Sequence, residues 1–596
     1  MSVNPGAGVT VGGTLPRWST VSVCLGADDM DVRYYPTHRL RDLRELVQRS
    51  ADEFGDRTAF KELDPAGDLR SYSFSQLRDD VAALGTALLA LGVAGRHVAL
   101  VGESSYSYVL SYLAVVNAGA VIVPLDRELT VDELVLLVRK SDADLVLYGD
   151  SLAADVPAIR GDCPRLTGAI SMDLYSAGTA ERDELGVPDL LRIGRELLAH
   201  GDARFASVAI DPDACCAILF TSGTTGANKG VMLTPRNITA VVHGAYSLHR
   251  LRSVSLSVLP INHSYEFNLH VLGAIFGGIT LCFNDSVKHV RENLGRFRPE
   301  MTLMVPMIVE ALYKNIWREA EKNHLATHLR YGIWLSNALR RVGVDLRRYY
   351  FKPVIDSLGG RLNMIICGGA PLRSEVVKGM SDLGIEVYNG YGITECSPLI
   401  SSNCVRNNIP GSVGIPIPCV RIRIDSPDAD GNGEIQVKGD NVMVGYYKDD
   451  DATARSFTPD GWFKTGDLGH LGRRDALFIT GRQKNLIILP NGKNVQPEEL
   501  EEHLLASIDY VQEVVVHAST DEAGVEHIVA TAFLDTTFVQ VVGSDEAEAR
   551  FKADVARHNR KLAGYKQIHQ AQVRDCEFTK TSTKKIKRNV AQGAMT

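Results

Sequence analysis

The sequence predicts an α/β protein. A large N-terminal domain of several subdomains, with parallel sheets flanked by helices and a small β-barrel-like region, precedes a small, mobile α+β C-terminal domain. Two observations favour this class. Short apolar runs alternate with helical patterns along most of the chain, which is typical of parallel sheets covered by helices. The chain also has 596 residues, which is more than one hydrophobic core usually organises.

The alternation is clear in the first part of the chain. Residues 76–91 have a helical pattern, and residues 97–101 (HVALV) are typical of a buried strand. Residues 108–125 are mostly apolar and nearly long enough to span a membrane, but they include Asn117 and Gly119. We therefore expect a buried helix followed by a core strand in place of a membrane span. Peripheral contact with a membrane stays open.

The alternation returns in the middle of the chain. Residues 306–358 are helical in character, and the apolar runs around them predict further buried strands. From residue 411 the pattern changes, because short alternating segments flank a turn cluster at residues 425–433 (DSPDADGNG). That change predicts antiparallel hairpins. The apolar runs are residues 217–220, 255–259, 279–283, 302–305 and 363–367.

A smaller unit is predicted after Gly481. We place the domain boundary close to Arg482, Gln483 and Lys484, so that residues 1–482 form the large domain and residues 483–596 the small one. The predicted elements of the small unit are helices at residues 497–506 and 544–562 and strands at residues 511–517 and 527–534.

Composition narrows the classes of partner and site. The formal net charge of -8 gives no indication of nucleic-acid binding. The ten cysteines include no C-x-x-C pair, so neither a zinc site nor a disulfide framework is indicated. A reducing, cytoplasmic setting fits this cysteine usage best. The oligomeric state is not determined by the sequence.

A cluster of small and hydroxyl residues follows the apolar run 217–220. Small residues let backbone N–H groups approach phosphate oxygens, hydroxyls add donors, and Lys229 adds positive charge. A flexible surface loop is the ordinary alternative. Gly230 stands where the P-loop of kinases needs Ser or Thr after the lysine, which argues against a P-loop kinase. The cluster consists of Thr221, Ser222, Gly223, Thr224, Thr225 and Gly226.

Further motifs follow in order along the chain. Together with the loop they resemble the adenylate-forming (AMP-binding) superfamily of acyl-CoA synthetases, adenylation domains and luciferases, over residues 35–589. Within it the sequence looks most like the long-chain fatty acid–CoA ligases, through LPINHSYE and the long helical segment. The motifs are residues 219–234 (LFTSGTTGANKGVMLT), 259–266 (LPINHSYE), 368–372 (GGAPL), 389–395 (NGYGITE), 461–469 (GWFKTGDLG), 481–501 and 578–588 (FTKTSTKKIKR).

The resemblance implies an AMP-forming acid–thiol ligase. ATP and Mg²⁺ would activate a carboxylic acid to acyl-AMP with release of pyrophosphate, and coenzyme A, the second substrate, would then take the acyl group. Lys585 would bridge the carboxylate and the α-phosphate, and Thr394 would hydrogen-bond the α-phosphate. Glu395 would be the metal ligand, a role that suits a hard oxygen donor. Lys584 stands where many relatives carry Gly, and Ile586 matches the apolar position that follows the catalytic lysine.

The resemblance also implies the nucleotide contacts. Tyr391 would stack on adenine, and Asp467 would accept hydrogen bonds from both ribose hydroxyls. Arg482 would add a ribose or phosphate contact, and the loop with Lys229 would hold the β- and γ-phosphates. The remaining positions expected around ATP and AMP are Gly369, Ala370, Asn389, Gly390 and Gly392.

The acyl pocket and a hinge are the last implied features. His263 and Tyr265 are expected to line the pocket, and a structural role for His263 is an equal alternative. Glu266 is either a structural anchor or a pocket wall. Lys484 matches the superfamily's hinge residue, about which the small domain would rotate to withdraw Lys585 and open a channel for the thiol.

Other functions stay open beside the long-chain fatty acid–CoA ligase. They are an acyl-AMP ligase, a loader of an acyl carrier protein, and a CoA ligase for aryl or short-chain acids. A degenerate binding homologue is a non-catalytic alternative, and the retention of Lys229, Glu395, Asp467 and Lys585 argues against it. The expected partners are small-molecule substrates, with no nucleic acid, and the sequence does not determine the acyl chain length.

Overall fold

The computed structural model describes residues 34–175, 185–221, 228–250, 253–489, 494–520 and 526–580, together with Ile586 and Arg588. It confirms the α/β class, with helices covering large sheets. None of the described helices has the length and apolar character needed to cross a membrane.

The elements follow the sequence pattern closely. The strands are β1 Thr58–Leu63, β2 Leu69–Ser73, β3 His97–Val101, β4 Val121–Leu125, β5 Leu145–Tyr148, β6 Gly168–Ser171, β7 Ala217–Thr221, β8 Lys229–Leu233, β9 Val254–Ser257, β10 Thr280–Phe283, β11 Met301–Met304, β12 Met364–Cys367, β13 Glu386–Gly392, β14 Leu399–Ser402, β15 Ile415–Pro416, β16 Val420–Asp425, β17 Gly433–Gly439, β18 Gly445–Tyr446, β19 Phe463–Leu471, β20 Leu477–Arg482, β21 Ile487–Ile488, β22 Asn494–Val495, β23 Val511–Thr520, β24 Glu526–Leu534 and β25 Gln570–Arg574. The helices are α1 Leu43–Phe54, α2 Phe74–Ala90, α3 Tyr106–Asn117, α4 Val131–Lys140, α5 Val156–Asp162, α6 Val187–Ala199, α7 Arg204–Ser207, α8 Pro235–Leu248, α9 Leu272–Gly277, α10 Val290–Phe297, α11 Pro306–Lys322, α12 Ala326–Arg341, α13 Arg347–Tyr350, α14 Lys352–Asp356, α15 Ser374–Asp382, α16 Asp450–Ser456, α17 Pro497–Ser507, α18 Thr536–Val542 and α19 Ser544–Asn559.

Two large sheets organise the N-terminal part. One has nine strands in the order β15-β14-β13-β12-β11-β9-β10-β1-β2, and the other has seven in the order β18-β8-β7-β4-β3-β5-β6. The central strands of each sheet pair in parallel, and antiparallel strands lie at the edges. This is the architecture expected when strands alternate with covering helices.

The apolar stretch that is nearly long enough to span a membrane is instead buried between these sheets. Every residue of α3 is buried, and β4 follows as a core strand. Ser105 begins the helix, because its hydroxyl accepts a hydrogen bond from the backbone N–H of Tyr108. Apolar residues occur on every side of this helix, which is the pattern of a helix that is buried all round.

The small region predicted to be β-barrel-like is instead an open antiparallel sheet in the described residues. It has four strands in the order β16-β17-β19-β20. Residues 425–433 connect its first hairpin, in which Asp425 pairs with Glu434. Strand β20 ends at Arg482, next to the predicted domain boundary.

The last part of the described chain has a core of its own. Helices α17 and α19 cover the three-stranded sheet β23-β24-β25. Leu500, Val516, Ala530 and Phe551 belong to this cluster and are essentially inaccessible to solvent. The division of the chain into two domains stays a prediction, and this separate core is the observation that supports it.

Candidate active site

Tyr391, Asp467 and Arg482 lie together although they come from three strands. The Tyr391 hydroxyl donates a hydrogen bond of 2.6 Å to Asp467 Oδ2, and Arg482 Nε lies 2.8 Å from Asp467 Oδ1. Asp467 and Arg482 are direct register partners of β19 and β20. The carboxylate is only 3% exposed, so its two partners stabilise a buried negative charge.

The phenol of Tyr391 is held in its neutral, donating form. Burial and then the charge of Asp467 raise its pKa far above the usual range for tyrosine. Each oxygen of the Asp467 carboxylate accepts one bond here and retains capacity for another. The carboxylate can therefore accept further hydrogen bonds from a ligand without losing either neighbour.

Glycines bring neighbouring strands close beside Tyr391. A Cβ on Gly392 would lie 1.9 Å from the Pro398 carbonyl oxygen, and a Cβ on Gly368 would lie 3.3 Å from the Gly390 oxygen. Gly369 has a φ of +90°, a conformation that glycine adopts readily and other residues rarely do. Gly369 and Ala370 are exposed just beyond β12, beside the Tyr391 strand.

Asn389 carries a buried oxygen that lacks a partner. Its Oδ1 accepts no hydrogen bond from any described residue, although its backbone oxygen accepts one of 2.8 Å from Asn403 N. Asn389 also lines a cleft of about 560 Å³ together with Ser374, Asn403 and Gly411. A buried acceptor without a donor is costly, and a cleft of this volume is in the range of small-molecule sites.

Glu395 and Lys229 both contact Tyr446, a residue that lies in none of the sequence motifs. The Tyr446 hydroxyl donates a 2.9 Å hydrogen bond to Glu395 Oε1, and Lys229 Nζ lies 4.7 Å from the centre of its ring. Burial, and then the charge of Glu395, raise the pKa of Tyr446 well above its usual range. No local pattern singles out Tyr446, because only the pairing of β18 with β8 brings it here.

Thr221 and Lys229 lie at the two ends of the predicted phosphate loop. They are register partners of the antiparallel strands β7 and β8. After β8, Thr234 caps α8 by accepting a hydrogen bond from Asn237 N. The rest of the predicted cluster lies outside the described residues: Ser222, Gly223, Thr224, Thr225 and Gly226.

Tyr265 is the first residue of a π-helical turn, Tyr265–Val271. Its hydroxyl donates a 3.0 Å hydrogen bond to the Ile366 carbonyl oxygen, and its ring lies close to Gly368. Burial raises its pKa well above the usual range. His263 is half-buried, and its backbone oxygen accepts a hydrogen bond from Phe267 N. A π-helical turn often marks a functional position in a helix.

Glu266 is fully buried behind this turn. Its Oε1 lies 2.9 Å from Nδ1 of His270, and Nε2 of His270 lies 2.6 Å from the Ser255 hydroxyl. Glu266 Oε2 has no hydrogen-bond partner among the described residues. These contacts tie the π-helical turn to strand β9.

The catalytic lysine predicted at position 585 lies outside the described residues, as do Lys584 and Lys587. The described residues on either side pair with each other and with helix α17. Lys580 forms a β-bridge with Ile586, and Arg588 pairs with Glu501 on α17. Lys484, the predicted hinge residue, lies in the short 3-10 turn Gln483–Asn485 that directly follows β20.

The chain resembles known proteins in sequence and in fold. The profile of a family described as AMP-binding enzyme matches residues 47–447. The long-chain-fatty-acid–CoA ligase FadD15 of Mycobacterium bovis is 31% identical over 456 residues, which cover 73% of this chain and 73% of that protein.

Two further matches extend the comparison. The chloroplastic long-chain-fatty-acid–[acyl-carrier-protein] ligase AEE15 of Arabidopsis thaliana is 27% identical over 557 residues, 79% of this chain and 74% of that one. The crystal structure of the anthranilate CoA ligase AuaEII with anthranoyl-AMP has a TM-score of 0.73 at 19% identity, and covers 96% of this chain and 99% of that chain. At that identity the likeness concerns the fold alone.

Proposed function

The chain belongs to the AMP-binding enzyme family, and from this we propose that it converts a long-chain fatty acid, ATP and coenzyme A to acyl-CoA, AMP and pyrophosphate. The acid would first attack the α-phosphorus of ATP and expel pyrophosphate. The thiol of coenzyme A would then attack the acyl carbon of the acyl-AMP and expel AMP. ATP and coenzyme A as substrates fit the family and the name of the Mycobacterium bovis relative.

One observation carries the proposal: the buried carboxylate of Asp467 contacts strand β13 through Tyr391, and the same strand carries the buried, unpartnered oxygen of Asn389. Asp467 is held in place by Tyr391 and Arg482, and its carboxylate oxygens would accept hydrogen bonds from the two ribose hydroxyls of ATP. Asn389 Oδ1 offers an acceptor to the exocyclic amino group of adenine. The Gly369 and Ala370 loop would cover one face of the base and Tyr391 the other.

Mg²⁺ fits the residues present. Glu395 supplies a hard oxygen ligand, and its Oε1 is oriented by the Tyr446 hydroxyl. The described residues contain no cluster of three or more His, Cys, Asp or Glu able to hold a metal by themselves. Mg²⁺ is commonly bound by one or two carboxylates together with substrate phosphates, and it would neutralise charge on those phosphates.

Charge is the main obstacle in the first half-reaction, because an anionic acid approaches anionic phosphates. Lys229 would stabilise the β- and γ-phosphates that leave as pyrophosphate, and its position over the Tyr446 ring places its charge near Glu395. Thr394 would hydrogen-bond the α-phosphate. Lys585 would contact both the attacking carboxylate and the α-phosphate, where negative charge redistributes in the transition state.

The second half-reaction would need a different arrangement of the small domain. The described residues of the proposed small domain include a separate apolar core, and Lys484 lies just after the last strand of the preceding sheet. Rotation about this position would remove Lys585 and admit the thiol. A Lys484→Pro variant is expected to lose thioester formation more than adenylation, and equal loss in both half-reactions would contradict the hinge.

Tyr265 and His263 would border the acyl group near the reacting carboxylate. Tyr265 lies against Gly368 of the nucleotide loop and also packs on the apolar clusters of the large domain, so it could contact both the head and the chain of the acid. An acyl-carrier-protein acceptor is the second candidate, because the Arabidopsis relative carries that name.

A half-reaction assay tests the proposed function. The protein is incubated with ATP, Mg²⁺ and fatty acids of increasing length or aryl acids, with coenzyme A, with acyl carrier protein, or with neither. We expect pyrophosphate with long-chain acids and a CoA ester when coenzyme A is present. Pyrophosphate without any CoA ester would refute the CoA ligase and favour an acyl-AMP ligase or carrier-protein loader. Absence of pyrophosphate with every acid would favour a non-catalytic homologue.

A further inference from the structure

Arg588 comes three positions after the proposed catalytic lysine, and its side chain is held by several acceptors. The guanidinium pairs with Glu501 of α17, and its Nη2 lies 3.7 Å from Glu498 Oε1 on the same helix. Its Nη1 donates a 3.4 Å hydrogen bond to the Val516 carbonyl oxygen. The side chain is only 21% exposed, and a charge withdrawn from water to this extent is stable only when it is paired.

Glu501 and Val516 close this contact into a ring. Glu501 Oε1 accepts a 2.7 Å hydrogen bond from the backbone N–H of Val516, the residue whose carbonyl oxygen accepts from Arg588. Burial raises the pKa of Glu501 to about 7, and the charge of Arg588 opposes that rise. Val516 belongs to β23, which pairs with β24 in the three-stranded sheet. The guanidinium is therefore fixed to a helix and to a sheet strand at once.

The chain before Lys585 is also anchored on β23. The backbone N–H of Phe578 donates a 2.9 Å hydrogen bond to Glu513 Oε2, and the Lys580 amine pairs with the same carboxylate. Ile586 forms a β-bridge with Lys580 and packs against the small apolar cluster that contains Phe578. Described residues on both sides of the lysine are therefore held by the same strand.

Helix α17 also contacts the proposed hinge. Glu498 Oε1, the oxygen beside Arg588, accepts a 2.6 Å hydrogen bond from Asn485 Nδ2. Asn485 directly follows Lys484 in the 3-10 turn after β20. The other oxygen of Glu498 is buried and has no hydrogen-bond partner among the described residues. One carboxylate therefore joins the hinge turn to Arg588.

We propose that Arg588 is a positioning residue that holds Lys585 in place for the first half-reaction. Its ion pairs with Glu501 and Glu498 fix the end of the lysine segment, residues 578–588, to α17. Rotation at the hinge would then move the lysine and α17 as one body, and the amine would reach the α-phosphate in a fixed geometry. Such placement matters because an error of about 1 Å can cost about 100-fold in rate. The proposal rests on the proposed function and adds a residue that touches no substrate.

Separate assays of the two half-reactions test the proposal. Arg588→Gln should lower the rate of acyl-AMP formation by about tenfold or more, because the lysine segment loses its contact with α17. Transfer of the acyl group from preformed acyl-AMP to coenzyme A should fall by less than about twofold, because that step is proposed to follow the withdrawal of Lys585. A variant that is merely destabilised would lose both activities alike.

A double-mutant cycle tests whether the ion pair is the contact that positions the lysine. Glu501→Gln should also lower the rate of adenylation by about tenfold, since it removes a charged partner of the guanidinium. Arg588→Gln combined with Glu501→Gln should be no slower than either single variant, because both changes break the same contact. Arg588→Lys keeps the charge without the planar fork and should recover part of the rate.

Lys566→Gln is the matched control. Lys566 pairs with Glu499 of the same helix at 2.7 Å, and its side chain is 23% exposed, close to the 21% of Arg588. It belongs to the 3-10 turn Gly564–Lys566 and not to the lysine segment. Loss of this ion pair should leave both half-reactions at the wild-type rate, and circular dichroism checks that every variant is folded.

Hydrogen exchange follows the lysine segment without any catalysis. In the absence of substrates, backbone amides of the peptide 578–588 should exchange faster by about tenfold or more in Arg588→Gln, because local opening no longer has to break the contact with α17. The same peptide should exchange at the wild-type rate in Lys566→Gln. This measurement does not depend on which reaction the protein catalyses.

The proposal is wrong if Arg588→Gln forms acyl-AMP at the wild-type rate, or if it loses both half-reactions equally. Unchanged hydrogen exchange of the lysine segment in Arg588→Gln would also overturn it, as would equal effects in Lys566→Gln. Failure of the proposed function gives a different result: the wild type would form no acyl-AMP with any acid, although the segment would still exchange faster in Arg588→Gln.

Discussion

Tyr446 donates a hydrogen bond to Glu395 over 2.9 Å although 51 positions separate the two residues in the chain. The bond holds one carboxylate oxygen in place. The ring that carries the hydroxyl also lies under the Lys229 amine. A single tyrosine therefore joins the proposed metal ligand to the proposed phosphate-binding lysine.

Tyr446→Phe should lower the rate of adenylation by about tenfold and raise the Mg²⁺ concentration needed for half-maximal rate, because a hydrogen bond to a charged group contributes roughly 1.5–3 kcal/mol. ATP–pyrophosphate exchange at varied Mg²⁺ measures both quantities. Tyr447→Phe is the matched control, since the Tyr447 hydroxyl donates instead to Asp142 at 2.6 Å. Similar losses in the two variants would argue against a role for the contact with Glu395.

Asn389→Ala should raise the KM for ATP by about tenfold with little change in kcat, because it removes an acceptor expected to bond the adenine amino group in ground state and transition state alike. Steady-state kinetics with ATP measures the split. Asn408→Ala controls for the cleft, since Asn408 is exposed and lines the same space. An unchanged KM in Asn389→Ala would remove Asn389 from the nucleotide site.

Asp467→Asn should lose at least about tenfold in kcat/KM for ATP, since an amide offers one acceptor oxygen where the carboxylate offers two. The sharper measurement compares ATP with 2′-deoxy-ATP. The wild type should prefer ATP, and the variant should lose most of that preference. If the variant discriminates between the two nucleotides as well as the wild type, Asp467 does not bind the ribose.

Lys585→Ala should reduce formation of acyl-AMP by on the order of 100-fold or more, the usual effect of removing a group that stabilises transition-state charge. Transfer of the acyl group from preformed acyl-AMP to coenzyme A should be much less affected, because the role proposed for Lys585 is in the first half-reaction. Lys584→Ala is the matched control for register in this basic run. The assignment is wrong if Lys584→Ala, and not Lys585→Ala, abolishes adenylation.

His249 should make the protein less stable in mild acid. Burial lowers the pKa of His249 from 6.5 to about 4. Below pH 6.5 the histidine of the unfolded chain therefore binds a proton, whereas the native histidine stays neutral until the pH approaches 4. Burial of the neutral ring therefore costs no stability above pH 6.5. As the pH falls from 6.5 toward 4, the free energy of unfolding decreases by on the order of 3 kcal/mol in total.

Denaturant unfolding at pH about 7 and about 5 measures this dependence. Relative to the wild type, His249→Gln should lose less stability between the two values. His200→Gln is the control, because His200 lies exposed just after α6. Identical pH dependence in wild type and His249→Gln would show that the buried ring does not contribute.

The sequence by itself determined the fold class, most strand positions and the family. The run HVALV became β3 at the same residues, His97–Val101, because a buried parallel strand is a continuous apolar segment that local pattern reveals. Tyr391, Asp467 and Arg482 each belong to a motif that is contiguous in the chain. Local periodicity depends on neighbours within a few positions, and this is why such features can be predicted.

Only the tertiary structure decided which of those residues touch. Asp467 meets Arg482 because β19 and β20 pair in one register, and Tyr446 reaches Glu395 because β18 joins the edge of β8. The unpartnered oxygen of Asn389 and the pairing of Arg588 with Glu501 likewise depend on how distant segments pack. Sheet register and burial are set by contacts between residues far apart in the chain, and no local pattern encodes them.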